Sequence, residues 1–302
     1  MNRTAWIALL LLAALLALYF VPRDTTGPDS VLAAAEFIVF GLAVGAYGTL
    51  VGAGGGFLIV PALLIVYHAH PAQAAGTSLT VVFLNAVSGT LSYARQRRID
   101  YRTGAAFALA TLPGAVGGAF LSRYFSGHTF SMGFGMVLLG IAAVLVWRPT
   151  AQREIAEALI EEAETNRWEQ VRRITDAAGQ VHVYRYNWVL GVMLSFFVGF
   201  LSSILGIGGG IIHVPAMIHF LGFPAHVATA TSHFILAITA AAGAGTHIGL
   251  GHVLAGPAIL MGIGVIGGAQ IGAVLAQRMK GSRIIRLLSL ALVIVALRLL
   301  IE

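Results

Sequence analysis

Three stretches of this chain, residues 189–205, 227–250 and 254–276, contain no Asp, Glu, Lys or Arg at all. About 20 apolar residues in a helix cross a hydrocarbon core of about 30 Å, so runs of this length fit a membrane better than a soluble core. Lipid offers no partner to backbone N–H and C=O groups, and each unmet group costs several kcal/mol, so only helices and closed barrels span it. The runs lack the apolar/polar alternation of barrel strands. Composition agrees: 58% of the 302 residues are hydrophobic and 10% are charged, where soluble domains carry about 25% charged residues. The expected fold is an all-α, polytopic transmembrane protein within a lipid bilayer.

The formal net charge of +6 does not point to nucleic acid. The Lys and Arg residues gather in short loops at the ends of apolar segments, which is a topology signal. Without a single Cys the chain has no disulfide framework, thiolate metal site or cysteine nucleophile. Residues 5–21, after Arg3, have the basic start and apolar body of a signal peptide, but Tyr19, Phe20, Val21 and Pro22 stand where a cleavage site needs small residues. We read residues 1–30 as an extra, uncleaved N-terminal transmembrane helix and loop.

The rest of the chain is one unit written twice. The run Val44 to Gly56, ending Gly52-Ala53-Gly54-Gly55-Gly56, returns as Val198 to Gly210, ending Gly206-Ile207-Gly208-Gly209-Gly210, and Pro61 and Pro215 follow at the same distance. Pro71 and Thr77-Ser78 answer Pro224 and Thr231-Ser232, while Gly114 and Gly117-Gly118-Ala119 are paired with Gly264 and Gly267-Gly268-Ala269. Repeat 1 is 31–148 and repeat 2 is 188–302. Each holds five apolar stretches, about 31–51, 56–68, 73–93, 104–124 and 130–147, then 188–205, 210–221, 227–249, 254–277 and 283–301. Segments 56–68 and 210–221 are too short for a certain full span. Residues 149–187 form a polar linker, expected to be a cytoplasmic surface helix with Ile155, Leu159 and Trp168 on its apolar side.

Arg95, Arg97, Arg98 and Arg102 fill one loop of repeat 1, and Arg278, Lys280, Arg283 and Arg286 fill the next loop along in repeat 2. If basic loops face the cytoplasm, the repeats are inverted, the amino terminus is cytoplasmic and the carboxyl terminus external. Inverted repeats characterise many secondary transporters, whose sites lie near the bilayer midplane between the halves.

Glycine weakens a helix by about 1 kcal/mol relative to alanine, so a triplet inside an apolar segment needs a reason. One is a broken helix: Gly54, Gly55, Gly56, Gly208, Gly209 and Gly210 would then present backbone N–H groups, at a partly positive helix start, to an anion. The other is close helix packing. Thr77, Ser78, Thr231 and Ser232 stand at helix starts, where hydroxyls cap the backbone or meet a ligand. Asn85 is an interior polar group on the same helix as Thr77. The one intramembrane carboxylate candidate is Glu36, read as interfacial, so proton coupling falls to His213 and His233, with packing as the alternative for both. With Glu36 and His213 set aside, the twelve other residues make up the candidate substrate site.

Broken helices ending Gly-x-Gly-Gly-Gly, a following Pro and a Thr-Ser helix start occur here as GAGGGFLIVPALL with AAGTSL and as GIGGGIIHVPAMI with ATATSHF. This arrangement resembles the TauE/SafE sulfite-exporter family of bacterial permeases over nearly the whole chain outside the first helix and the linker. The resemblance implies a multi-pass inner-membrane exporter of sulfite, a sulfonate such as sulfoacetate, or a related small anion, with no cofactor. His213, His233 and the long linker depart from the pattern. Divalent-cation transport through the second-half histidines is the alternative, though no carboxylate or thiolate lies near them. A non-transporting scaffold is another. An enzyme is not expected: the chain has neither His-Glu-x-x-His nor Gly-x-Ser-x-Gly, and no catalytic or metal-ligating residues are assigned.

Overall fold

A computed structural model describes residues 31–125, 127–147 and 167–301. The expected first helix, Ile155 and Leu159 lie outside them. The described residues form α1 (Val31–Val51), α2 (Gly56–Ile65), α3 (Pro71–Arg95), α4 (Tyr101–Leu121), α5 (Gly127–Trp147), a hairpin of β1 (Glu169–Thr175) and β2 (Val181–Asn187), then α6 (Trp188–Leu205), α7 (Gly210–His219), α8 (Ala225–Gly249), α9 (Ala255–Gln277) and α10 (Gly281–Ile301). Eight of these helices are long and apolar enough to cross a membrane. The other two, α2 and α7, have ten residues each and reach about 15 Å, half a hydrocarbon core.

Helix starts follow local chemistry. His70 caps α3 ahead of Pro71, the Asp100 carboxylate caps α4 through Thr103 N–H, and Asn187 caps α6 through Leu190 N–H. Glycines then decide which helices touch. A Cβ on Gly41 or Gly45 of α1 would strike the backbone of Met261 or Val265 in α9, and one on Gly264, Gly268 or Gly272 of α9 would strike α1. Likewise Gly199 of α6 meets Thr111 of α4, while Gly114 and Gly118 of α4 meet Phe196 and Phe200 of α6. Small residues let these backbones close to contact.

The contacts also register the repeats. Gly114 and Gly118 touch residues 196 and 200, and Gly268 and Gly272 touch residues 42 and 46. The internal offset is therefore 154 residues throughout, as from Gly52 to Gly206, and Gly114 corresponds to Gly268. Pairing Gly114 with Gly264 from sequence slips by one helical turn, because a Gly-Gly pair recurs there.

Along α1 and α9 the contacting positions rise together, as they do along α3 and α9, where Thr77 meets Leu254, Ser88 meets Ile266, and Gln96 meets Ala273. These three helices run parallel. So do α6, α4 and α8, with Asp100 on Thr231 and Thr111 on Thr239. The equivalent helices α3 and α8 run antiparallel: Gly76 faces His247, and Gly89 faces His233. Packing thus exchanges the fourth helix between the repeats. One bundle is α1, α3 and α9 and the other is α6, α8 and α4, so the packed units are not the halves of the sequence.

The linker differs from its expectation. Residues 169–187 are an antiparallel hairpin, not a helix, with Glu169 opposite Asn187 and Thr175 opposite Val181. Val181-His182-Val183-Tyr184-Arg185-Tyr186 alternates strictly, burying His182, Tyr184 and Tyr186, and β-branched and aromatic residues suit a half-buried strand. Asp176 closes the turn by accepting from Ala178 and Gln180 N–H, with Gly179 at φ 81. Trp168 packs on Trp188 at 6.2 Å. The hairpin docks on the α3–α4 loop: Arg172 makes a two-pronged ion pair with Asp100, Tyr184 donates to the same carboxylate, and Arg98 pairs with Asp176. Tyr184 also packs against Phe223 before α8, ring centroids 4.2 Å apart.

Candidate functional site

The two glycine runs are true helix breaks. Gly52, Gly54 and Gly55 have φ of 78, 76 and 87, and Gly206, Gly208 and Gly209 have 72, 77 and 84. A side chain in that left-handed region costs about 1–2 kcal/mol, so the same three positions of each repeat need glycine. In the first break Ala53 and Gly54 N–H turn back to Gly48 O; in the second Ile207 N–H turns back to Ser202 O. The ladder of α2 begins with Leu58 and Ile59 N–H on Gly55 O, and that of α7 with Ile212 and His213 N–H on Gly209 O. The first-turn N–H groups of Gly56, Phe57, Gly210 and Ile211 stand ahead of these ladders, where helices leave donors unsatisfied.

The breaks meet. A Cβ on Gly56 would lie 2.8 Å from Gly206 O, and one on Gly210 would lie 2.6 Å from Gly52 O. Helix breaking and close packing therefore both occur, at different positions: 52, 54, 55, 206, 208 and 209 break the helices, whereas 56 and 210 permit close approach.

Thr77, Ser78, Thr231 and Ser232 are fully buried and tie one repeat to the other. Ser78 donates to Gly206 O at 2.7 Å and Ser232 to Gly52 O at 3.3 Å. Thr77 accepts from Leu254 N–H at 2.9 Å and Thr231 from Asp100 N–H at 3.0 Å. Each bond has its counterpart 154 residues away.

Beside the first break lies a buried hydrogen-bond network. Asn85 Nδ2 donates to Gly54 O, which fixes its amide orientation, and Asn85 Oδ1 accepts from Thr49 Oγ1. The single Thr49 hydrogen is thereby spent, so Thr49 must accept from His233 Nε2–H at 3.1 Å. His233 Nδ1 is left without a partner. Tyr93 completes the cluster, donating to Thr49 O at 2.7 Å. His213 is in a separate cluster: its Nε2 meets Ser195 Oγ, which itself donates to Gly191 O. The two proposed proton carriers are not bonded to each other.

The second break is built differently. Where repeat 1 has Gly48-Thr49, repeat 2 has Ser202-Ser203. Both serines are buried, at 0% and 1% exposure, and neither hydroxyl has a hydrogen-bond partner. Ser202 Oγ lies 3.3 Å from where a Gly209 Cβ would be, close to the α7 start. Burying a hydroxyl without a partner costs about 1–3 kcal/mol, so this pair, like His233 Nδ1 at the first break, is a chemically unfinished part of the interior. Sequence reading passed over Ser202, Ser203, Thr49 and Tyr93. The signal was there in the hydroxyl pair that replaces Gly48-Thr49 within an otherwise matched motif. Thr239, the counterpart of Asn85, bonds to Thr111 instead. Backbone N–H groups and hydroxyls without basic side chains suit an oxyanion small enough to sit at a helix start.

The profile of the family described as "Sulfite exporter TauE/SafE" matches residues 37–299. A probable membrane transporter protein of Bacillus subtilis (strain 168), YunE, is 33% identical over 88% of this chain and 96% of its own length. A probable membrane transporter protein of Methanocaldococcus jannaschii is 25% identical, covering 80% of this chain and 86% of its own, and one from a Sinorhizobium species is 28% identical, covering 83% and 87%. No solved structure matches.

Proposed function

Because the chain belongs to the sulfite exporter TauE/SafE family, and so is a multi-pass membrane transporter, we propose that it carries a sulfur oxyanion or small organosulfonate, such as sulfite or sulfoacetate, bound at the second glycine break. The observation that carries this reading is the partnerless hydroxyl of Ser202, 3.3 Å from where a Gly209 Cβ would be at the start of α7, followed in sequence by a second partnerless hydroxyl, Ser203. The hydroxyls and the N–H groups of Gly210 and Ile211 supply donors to an anion without burying a cation. Thr77, Ser78, Thr231 and Ser232 hold the two breaks in register, and Gly54, Gly55, Gly56, Asn85 and His233 shape the opposite wall. A cation reading has less behind it, because His213 and His233 are engaged with Ser195 and Thr49.

We read the repeats as inverted, supported by the antiparallel course of α3 and α8. Alternating access then moves the two exchanged bundles, rather than the sequence halves, against each other. The basic residues of 95–102 and 278–286 share the end that carries the hairpin, since Gln96 meets Ala273. By the positive-inside rule that end is cytoplasmic, with α10 finishing outside. The absence of native cysteine makes a test direct: Gln277→Cys is expected to be shielded from an impermeant external thiol reagent and Tyr124→Cys to react. Labelling of Gln277→Cys from outside reverses the orientation.

Flux of radiolabelled sulfite, sulfoacetate and sulfate into proteoliposomes tests the function. Saturable flux of one, inhibited by its analogues, is the expected result, and no flux of any of the three withdraws the substrate class. The Ser202→Ala/Ser203→Ala variant is expected to weaken apparent anion affinity about tenfold or more, as losing hydrogen bonds to a charged group of about 1.5–3 kcal/mol predicts. Its thermal stability should not fall, since no protein partner is lost. Unchanged affinity places the anion elsewhere.

A further inference from the structure

The 154-residue register sets two loops against each other. Arg97, at φ 54, corresponds to Gly251, at φ 72. Arg98 corresponds to His252, and Tyr93 to His247. At the hairpin end Tyr93 OH donates to Thr49 O at 2.7 Å, and Arg98 is neutralised by Asp176 at 3.4 Å. At the opposite end His247 Nε2 meets Ser203 O at 3.3 Å, and His247 Nδ1 meets His252 Nδ1 at 3.2 Å. One end thus holds a phenol and a fixed cation, and the other holds two titratable imidazoles in the same places.

The hydrogen bonds determine the tautomers. A carbonyl only accepts, so His247 carries its proton on Nε2, its Nδ1 is an acceptor, and the bridging hydrogen belongs to His252 Nδ1. His252 Nε2 is then the free basic nitrogen, on a residue that is partly exposed, while His247 is fully buried. A proton taken up at His252 Nε2 lets the bridging hydrogen pass to His247 Nδ1. The pair then carries one positive charge shared across the Nδ1–Nδ1 hydrogen bond, with His247 Nε2–H directed at the last turn of α6, where the helix dipole favours positive charge. The acceptor carbonyl belongs to Ser203, whose hydroxyl is one of the two partnerless groups at the second break.

We propose that the His252–His247 pair is the binding site for a coupling proton, delivering positive charge from the end opposite the hairpin to the backbone of the anion site. This rests on the transport reading above and replaces His213 and His233 as the carriers. The groups facing the pair are His70, at the start of α3, and Arg123, beyond the end of α4, and Gly76 of α3 packs against His247 without charge. Burial first, then His70 and Arg123, hold His252 below the ordinary imidazole range, so the pair loads on the acid side of neutrality and empties above it.

The internal repeat supplies the test variant. His247→Tyr places at this position the residue its counterpart already has, with a hydroxyl able to donate to Ser203 O as Tyr93 donates to Thr49 O, and it does not titrate near neutrality. His252→Gln removes the entry nitrogen. In proteoliposomes carrying a lumenal pH dye, the wild type is expected to move one proton per sulfite and to accumulate sulfite about tenfold per unit of imposed pH gradient. Both variants should still exchange sulfite but ignore the gradient. Variants that accumulate sulfite as the wild type does overturn the proposal. Acid uptake by the purified protein separates this from the substrate question: between neutral pH and about pH 5, the wild type should bind about one proton more than the His247→Tyr/His252→Gln double variant. Equal uptake overturns the proton site even if sulfite proves not to be the cargo, and an extra proton without sulfite flux overturns the substrate alone.

Discussion

Gly209→Leu is expected to reduce sulfite flux about a hundredfold or more while the protein still inserts into the membrane. At φ 84 any side chain costs about 1–2 kcal/mol. Its Cβ would lie 3.1 Å from Val198 Cγ1 and 3.3 Å from Ser202 Oγ. The remaining Leu atoms have to take space between the α7 start and the Ser202 hydroxyl, which is where the anion is proposed to sit. Losing four donors to a charged ligand at about 1.5–3 kcal/mol each exceeds a hundredfold even if half are retained. Insertion depends on the length and apolarity of the spanning helices, which a Leu does not reduce. Gly267→Leu is the control: Gly267 is exposed on α9, with nothing within 4 Å of its would-be Cβ. Sulfite flux with membrane localisation by fractionation reads both variants. Wild-type flux in Gly209→Leu removes the second break as the site.

Much of this fold is legible in the sequence because membrane helices announce themselves by length and by the absence of charge, and because a duplicated motif carries its own alignment. The breaks are legible for the same reason: a glycine triplet has no packing advantage large enough to recur at matched positions unless the backbone needs it. Packing exchange between the repeats was not legible, since every helix here is apolar nearly all round and no stripe says which neighbour it will find. Glycine spacing held that information, and only the contacts of Gly114 and Gly268 show which of two adjacent glycines is equivalent. The site itself was half legible. Thr77, Ser78, Thr231 and Ser232 look like ligand hydroxyls at helix starts in sequence because Pro-containing turns shortly precede them, yet they stand in the second turn of α3 and α8 and each is occupied by a bond across the repeats. Ser202 and Ser203 look like ordinary small residues, and only the absence of any partner singles them out. The hairpin was missed because composition, read over a window dominated by Glu, Ala and Arg, outweighed the two-residue alternation at 181–186.

Asp100→Ala is expected to lower the unfolding free energy by about 3–5 kcal/mol, the usual penalty for removing one member of a buried ion pair. The Asp100 side chain has no solvent exposure. It accepts from Arg172 at 2.8 and 3.0 Å, from Tyr184 OH and Thr103 Oγ1 at 2.6 Å, and from Thr103 N–H at 3.2 Å. Alanine leaves the Arg172 guanidinium, the phenol and the α4 cap without their acceptor. Because these groups join the hairpin to the α3–α4 loop, the loss should be localised: trypsin should cut at Arg172, Arg173 or Arg185 in the variant under conditions that spare the wild type. Burial alone would raise the carboxyl, but the bonds from Arg172, Thr103 and Tyr184 hold it down at about 2, below its ordinary 3.8. A depressed carboxylate contributes stability that is complete above its unfolded value and lost as the pH falls through the folded one. The wild type should therefore keep its hairpin protected at pH 5 and lose it only in strong acid, and Asp100→Ala should lack that acid transition. Adding Arg172→Met to Asp100→Ala should recover part of the loss by removing the stranded charge. If Asp100→Ala instead melts in detergent with the wild type and its hairpin stays uncut, the anchor lies in the aromatic contacts of Tyr184 and Tyr186 with Phe223 and not in the ion pair.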